Sequence, residues 1–208
     1  RGRTEAHRKG GEFALSIIVF DTEATDLTPG QICQLSYLVV DGENVTGTNL
    51  FFEVDEMSEG AQEVHGFSMD MLRELSGGLR FEDVAQSVYD DFAAAKLWVG
   101  HNVSADDRYL RVELERCGLK MPKKPTFCTM NYFTSDLNLA RKVNIGRPKP
   151  PKLTELVEFF GLEEDFVAGK AAEWFGGGGA LHDARFDTAA TYLCLVEGTK
   201  QGRVRGVL

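Results

Sequence analysis

The chain reads as an α/β protein: a mixed five-stranded sheet, three antiparallel strands and then two parallel ones, flanked by helices. Three observations predict this. The run Leu15, Ile17, Ile18, Val19 and Phe20 is short, β-branched and nearly unbroken, the pattern of a strand buried on both faces. Two further apolar segments follow it across turn residues, as in an antiparallel unit. From Phe81 onward apolar residues recur with helical period, interrupted by two short strand-like stretches.

Residues 1–13 are polar, with Arg1, Arg3, Arg8 and Lys9 and no apolar period, and are expected to form a flexible tail. The first strand should cover about residues 15–21. Thr28-Pro29-Gly30 is turn chemistry, and Ile32 to Val40 supplies the second strand. Asp41-Gly42-Glu43-Asn44 makes a hairpin turn, and Leu50, Phe51, Phe52 and Val54 a third strand. Phe81, Val84, Ala85, Val88, Tyr89 and Phe92 share one helix face. Leu97-Trp98-Val99-Gly100 is a short strand that stops at His101-Asn102, and Leu110, Leu114 and Cys117 mark the next helix. Phe127 to Met130 is a brief strand. Residues 141–152, rich in Pro, Gly and base, form a loop. Leu153, Leu156, Val157 and Phe160 make a helix capped by Gly161. Gly176 to Gly179 is the most flexible point of the backbone, and Phe186, Ala189, Ala190 and Leu193 line the last helix. No repeat or linker divides the chain, so residues 14–208 are expected to be one domain.

Composition narrows the function classes. No apolar run approaches the length of a membrane span, and no signal core opens the chain. An intracellular, cytoplasmic setting is expected, with nucleoid or nuclear placement left open. Cys33, Cys117, Cys128 and Cys194 are scattered without a paired motif, so reduced thiols and no zinc are expected. The net charge of −9 argues against a polyanionic partner, but its distribution argues the other way. Between Lys120 and Lys152 stand eight basic residues and one acid, Asp136. That flank either guides a polyanion or is a solvated loop.

The buried first strand runs into Asp21-Thr22-Glu23. Residues two apart share a strand face, so the two carboxylates sit side by side. Either they are a solvated strand end, or one is protonated, or a hard divalent cation lies between them. Asp106 follows Gly100-His101-Asn102, and Asp187 lies in the first turns of the last helix. His182 precedes Asp187 by five residues, which on a helix is about 140° off the same face. It joins Asp187 only from the preceding loop.

Taken together these stretches resemble the DnaQ-like (DEDDh) 3′–5′ exonucleases of the RNase H-like superfamily. Asp21-Thr22-Glu23-Ala24-Thr25-Asp26-Leu27 resembles their D-x-E-x-T-G-L motif, and His101 to Asp106 resembles H-N-x-x-F-D. His182-Asp183-Ala184-Arg185-Phe186-Asp187 matches H-D-A-x-x-D, and Val64-His65-Gly66-Phe67-Ser68 resembles V-H-G-I-T. Cys128-Thr129-Met130 and Leu156 to Leu162 resemble later elements, so the likeness covers about residues 15–197 in order. Asp26 stands where the family has Gly, and Ala105 where it has Phe.

The resemblance implies an RNase H-like fold and release of nucleoside 5′-monophosphates from single-stranded 3′ ends. It implies two Mg²⁺, with Mn²⁺ as substitute, because phosphodiester hydrolysis needs an activated water and a neutralised leaving oxygen. Asp21 would bridge the ions, Glu23 and Asp187 complete the first site, and Asp106 support the second. His182 would be the general base. Asn102 and the backbone near Thr22, Ala24 and Thr25 would hold the terminal sugar, Leu27 would slide under the last base, and His65 would contact the strand near its end. His101 is read as a loop brace. Such contacts read backbone and end rather than sequence. DNA is favoured over RNA, and a polymerase or repair complex is a candidate partner. A non-catalytic end-binding module, an exoribonuclease and an endonuclease of related fold are the competing readings.

Overall fold

The computed structural model describes residues 16–140, 146–177 and 180–208. Residues 1–13, Arg141, Lys142, Gly178 and Gly179, on which several expectations rest, lie outside them.

The first strand, β1 (Ile17–Ala24), pairs antiparallel with β2 (Ile32–Asp41), which pairs antiparallel with β3 (Asn44–Phe51). Three helices follow: α1 (Glu59–His65), α2 (Met69–Ser76) and α3 (Phe81–Ala94). Next, β4 (Leu97–Gly100) and α4 (Val103–Arg116) lead to β5 (Thr126–Cys128). The short α5 (Thr129–Tyr132) and α6 (Thr134–Leu137) precede α7 (Leu153–Phe159), α8 (Glu164–Phe175) and α9 (Ala184–Lys200). The sheet order is β3-β2-β1-β4-β5, with β4 and β5 parallel to β1. Three antiparallel strands and two parallel ones are as expected.

Alternation along β1 sorts the core into two layers. Ile17 and Val19 pack with Leu38, Leu156, Ala190 and Cys194 under α7 and α9. Ile18 and Phe20 pack with Val88, Phe92, Trp98 and Leu110 under α3 and α4. The Phe92 ring meets Phe20 and Trp98 edge-on, at 5.1 and 5.3 Å. Glycine allows a close approach at the sheet margin. A Cβ on Gly47 would collide with the Trp174 carbonyl oxygen of α8, which covers β3.

Several expected boundaries move. The first strand runs three residues further, through both acids, because β2 continues to pair with it. The third begins at Asn44, since Asp41 and Asn44 pair across a Gly42-Glu43 turn with Gly42 at φ 59. Its polar half-buried face hid it from periodicity. The brief strand is Thr126–Cys128, and Thr129 already starts α5. The unexpected α1 and α2 each carry a Ser side-chain cap, from Ser58 and Ser68, and end in left-handed Gly66 and Gly77. Each buries a single residue, His65 or Leu72, and so has no apolar stripe to read. Likewise α8 buries only Val167 and Ala171. Among the described residues no helix is long and apolar enough to cross a membrane.

Candidate active site

The site forms where β1 outruns its neighbour. The β1–β4 pairing ends at Val19↔Val99, whereas β1 stays paired to β2 through Ala24. Beyond Val19, then, one edge of β1 is open. Asp21 and Glu23 continue the Ile17–Val19 face toward α9, and Thr22 continues the face toward α4. On the open edge α4 brings in Asp106, whose Oδ1 accepts the Thr22 amide at 3.1 Å and the Thr22 hydroxyl at 2.7 Å. A side-chain carboxylate thus replaces the ladder acceptor that β4 no longer provides. On the other side α9 brings in Asp187. One carboxylate oxygen from each of Asp21, Glu23 and Asp187 lies within 4.8 Å of the others.

These acids are costly to ionise together. Burial pushes the Asp21 carboxyl well up, and the charges of Asp106, Asp187 and Glu23 push it further. Burial, then Asp187 and Asp106, raises Glu23 to about 9. Burial raises Asp187 to about 7 against the backbone N–H of His182, which bonds its carboxylate. Burial raises Asp106 to about 6, held down by its two Thr22 donors. Among the described residues, Asp187 Oδ1 is the one buried side-chain oxygen or nitrogen without a hydrogen-bond partner. A converging set of hard oxygen donors with an orphaned buried oxygen fits a divalent cation.

His182 sits on the loop before α9, as its spacing to Asp187 required. Its backbone is left-handed, φ 64, a conformation that strains a non-glycine residue. The side chain is exposed and lines a cleft of about 490 Å³ with Asp21, Asp187, Asn102, Lys152 and Leu181. A second cleft of about 340 Å³ opens on the Glu23 side, between Thr22, Ala24, Leu27, Ala61, Val64 and Tyr109. Leu27 is 87% exposed at its lip. The loop carrying Leu27 is gripped from α4: Tyr109 Oη donates to the Asp26 carbonyl at 2.7 Å, and Arg108 to the Leu27 carbonyl at 3.1 Å. The Asp26 carboxylate accepts the Leu27 amide, so its charge is turned back into the loop.

Other expected site residues are occupied within the chain. Thr25 is buried, its amide bonded to the Gln31 carbonyl, its carbonyl to the Ser58 amide and its hydroxyl to the Gln31 amide. The Thr22 hydroxyl is committed to Asp106. His65 is buried, accepts the Phe67 amide on Nδ1 at 3.1 Å, and its ring also bonds the Ala24 carbonyl. Burial lowers its pKa, so it is a neutral clamp on the β1 backbone. His101 is braced as read. Nε2 donates to the Pro151 carbonyl at 3.1 Å, since a carbonyl only accepts, which leaves Nδ1 to accept from Thr129 Oγ1 at 3.0 Å. Asn102, at φ 70, stands at the N-cap position of α4 without a side-chain cap bond and lines the first cleft. Ala105 precedes an Asp106 that is fixed by Thr22.

The basic flank is divided. Lys124 is spent on the carbonyls of Ala93 and Ala95 at the end of α3, and Lys149 pairs with Glu155 at 2.6 Å. Lys152 is exposed and lines the first cleft.

Sequence reading passed over Gln34, Asp183 and Arg185. Asp183 caps α9 and accepts from Arg185 through the amide at 3.0 Å and Nε at 2.9 Å. Gln34 is fully buried and bonded to Asp183 and Ala184. A signal existed: Gln34 and Ser36 are polar residues inside the apolar second strand, and buried amides need partners.

Sheet order and acid cluster together define the class, a mixed α/β domain with a carboxylate cluster able to hold a metal at the end of its central strand. The sequence profile of the family described as Exonuclease (RNase T) matches residues 18–191, and the chain belongs to that family. No curated protein sequence matches the chain. Among solved structures, it is similar to exonuclease I in a structure said to suggest how processivity is achieved: TM-score 0.68, 18% identity, 89% of this chain and 41% of that one. It is also similar to E. coli exonuclease I in complex with a dT13 oligonucleotide, at TM-score 0.67 and 18% identity over 90% and 42%. A zinc-bound E. coli exonuclease I–ssDNA complex aligns at TM-score 0.68 and 19% identity over 90% and 41%. The chain thus spans about two-fifths of the length of these structures.

Proposed function

We propose that residues 14–208 form one domain that acts as a metal-dependent 3′–5′ exonuclease on single-stranded DNA, releasing nucleoside 5′-monophosphates. The observation that carries this is the convergence of Asp21, Glu23 and Asp187, with Asp106 beside them, at the open edge of a central strand. Asp21, Glu23 and Asp187 would hold one Mg²⁺, and Asp106 would support a second. When bound, the pair supplies charge neutralisation on the leaving oxygen and acidifies a water. His182 takes the proton of the attacking water on its imidazole. The apolar cleft behind Leu27 and Val64 takes the terminal base, Asn102 the sugar, and Lys152 a phosphate. Exonuclease I structures similar to this chain hold a dT13 oligonucleotide and single-stranded DNA, which supports DNA over RNA.

A time course on DNA and RNA oligomers labelled at the 3′ or the 5′ end, with and without Mg²⁺, tests the reading. A ladder shortening from the 3′ end of 5′-labelled DNA, only with metal, is expected. Cutting of circular single strands, or binding without turnover, would overturn it.

A further inference from the structure

We propose that Gln34 and Asp183 are positioning residues that hold the His182 loop in its strained conformation. The proposal rests on His182 being the general base. Gln34 lies in the interior of the sheet, and its amide reads two groups immediately after His182. Nε2 donates to Asp183 Oδ1 at 2.9 Å, and Oε1 accepts the Ala184 amide at 3.0 Å. The amide cannot turn over. Its second N–H donates to Asn49 Oδ1 at 2.9 Å, an oxygen that also accepts from the Ser36 hydroxyl at 2.8 Å. A flipped amide would face oxygen to the Asp183 carboxylate and N–H to the Ala184 N–H.

Asp183 is held from its other side by the Arg185 guanidinium, with Nη2 at 2.5 Å. Arg185 lies over the Phe51 ring at 5.3 Å, and its Nη1 stands 2.7 Å from where a Cβ on Gly177 would be. Thus β2, through Gln34, and β3 with the turn after α8, through Arg185, brace the residue after His182. His182 itself stands at φ 64, a backbone state that persists only where its surroundings over-determine it. A buried polar relay across a sheet is also a poor way to gain stability, since apolar side chains would serve the core as well. None of these side chains lines the first cleft. They act on the reaction through the placement of His182, or through the charge of Asp183 on the neighbouring acids, which Asp183→Asn removes as fully as Asp183→Ala does.

A mutant cycle separates these cases. Gln34→Leu, Asp183→Ala and Asp183→Asn are made alone and in the His182→Ala background. kcat and KM are measured on a 5′-labelled oligonucleotide, with melting curves to check the fold. Gln34→Leu and Asp183→Ala are expected to lower kcat roughly 10–100-fold with KM nearly unchanged. Asp183→Asn keeps an oxygen for Gln34 while giving up the ion pair with Arg185, and should retain clearly more of kcat than Asp183→Ala. In the His182→Ala background neither damaging change should lower kcat further. Multiplicative losses there, or losses in KM rather than kcat, would overturn the proposal alone. If Gln34→Leu fails to fold, the contrast of Asp183→Ala with Asp183→Asn decides it. Near-normal turnover of His182→Ala would instead overturn the reading of the base, and the proposal with it.

Discussion

Asp106 and Thr22 are joined twice across the open edge of β1, through the Thr22 amide at 3.1 Å and its hydroxyl at 2.7 Å. These donors oppose the burial that raises the Asp106 carboxyl to about 6. Thr22→Val removes the hydroxyl and keeps the shape. The Asp106 carboxyl should then rise further, since one of the donors that favours its ionised form is gone. Mn²⁺ affinity followed by calorimetry against pH should show its acid limb moved upward. An unmoved limb would mean that the hydroxyl is idle.

Asp21 is the acid that feels Asp106, Asp187, Glu23 and Asp183 together. Asp21→Asn should abolish turnover while the fold survives, and the metal-free protein should melt no lower than wild type, because an amide needs no proton taken up on folding where the buried carboxyl does. Melting curves with and without Mg²⁺, run beside the activity assay, check this. An active Asp21→Asn protein would end the metal reading.

The same acids set a pH dependence of stability without metal. Asp106, Asp187 and Glu23, at about 6, 7 and 9, all stand above ordinary carboxylates, so the folded chain keeps protons that the unfolded chain has released. Their contribution is full below about pH 4, the unfolded range, and is lost as pH rises through the folded values. In chelator, Asp187→Asn cannot ionise at that position. Near pH 8 it should melt about 5 °C above wild type, as expected for a relief of one to two kcal/mol in a domain of this size. It should also lose the Mg²⁺-induced gain. Parallel pH profiles for the two proteins would contradict the assignment.

Lys152 and Lys149 should behave differently. Lys152 is exposed at the cleft, whereas Lys149 is tied to Glu155 ahead of α7. Lys152→Glu should weaken binding of single-stranded DNA and lower its salt slope by roughly one, with the saturated rate nearly kept. Lys149→Glu should leave the slope closer to wild type and cost helix stability instead. Fluorescence titrations at several salt concentrations distinguish them.

His182→Ala should lower the saturated rate by roughly 10²–10⁴-fold while metal binding persists. Single-turnover rates beside Mn²⁺ titrations would show it.

The local pattern of the chain settled the order of strands, the two helix faces that cover the sheet, and the acids at the end of β1. Each is written in a period or a spacing within a dozen residues: alternation put Asp21 and Glu23 on one face, and the spacing of His182 to Asp187 forced the histidine onto a loop. Tertiary structure alone decided where those acids meet other elements. β1 exposes an edge only because β4 stops pairing at Val19↔Val99, and Asp106 comes to that edge from 84 positions away. Thr25 and His65 carry motif letters, yet their polar groups are consumed by backbone partners that no periodicity announces. Gln34 and Asp183 are 149 positions apart in the sequence and hydrogen-bonded at 2.9 Å. A hydrogen bond is directional and needs both partners in place, so it appears only once the chain has folded, whereas burial of an apolar stripe is already legible along the chain.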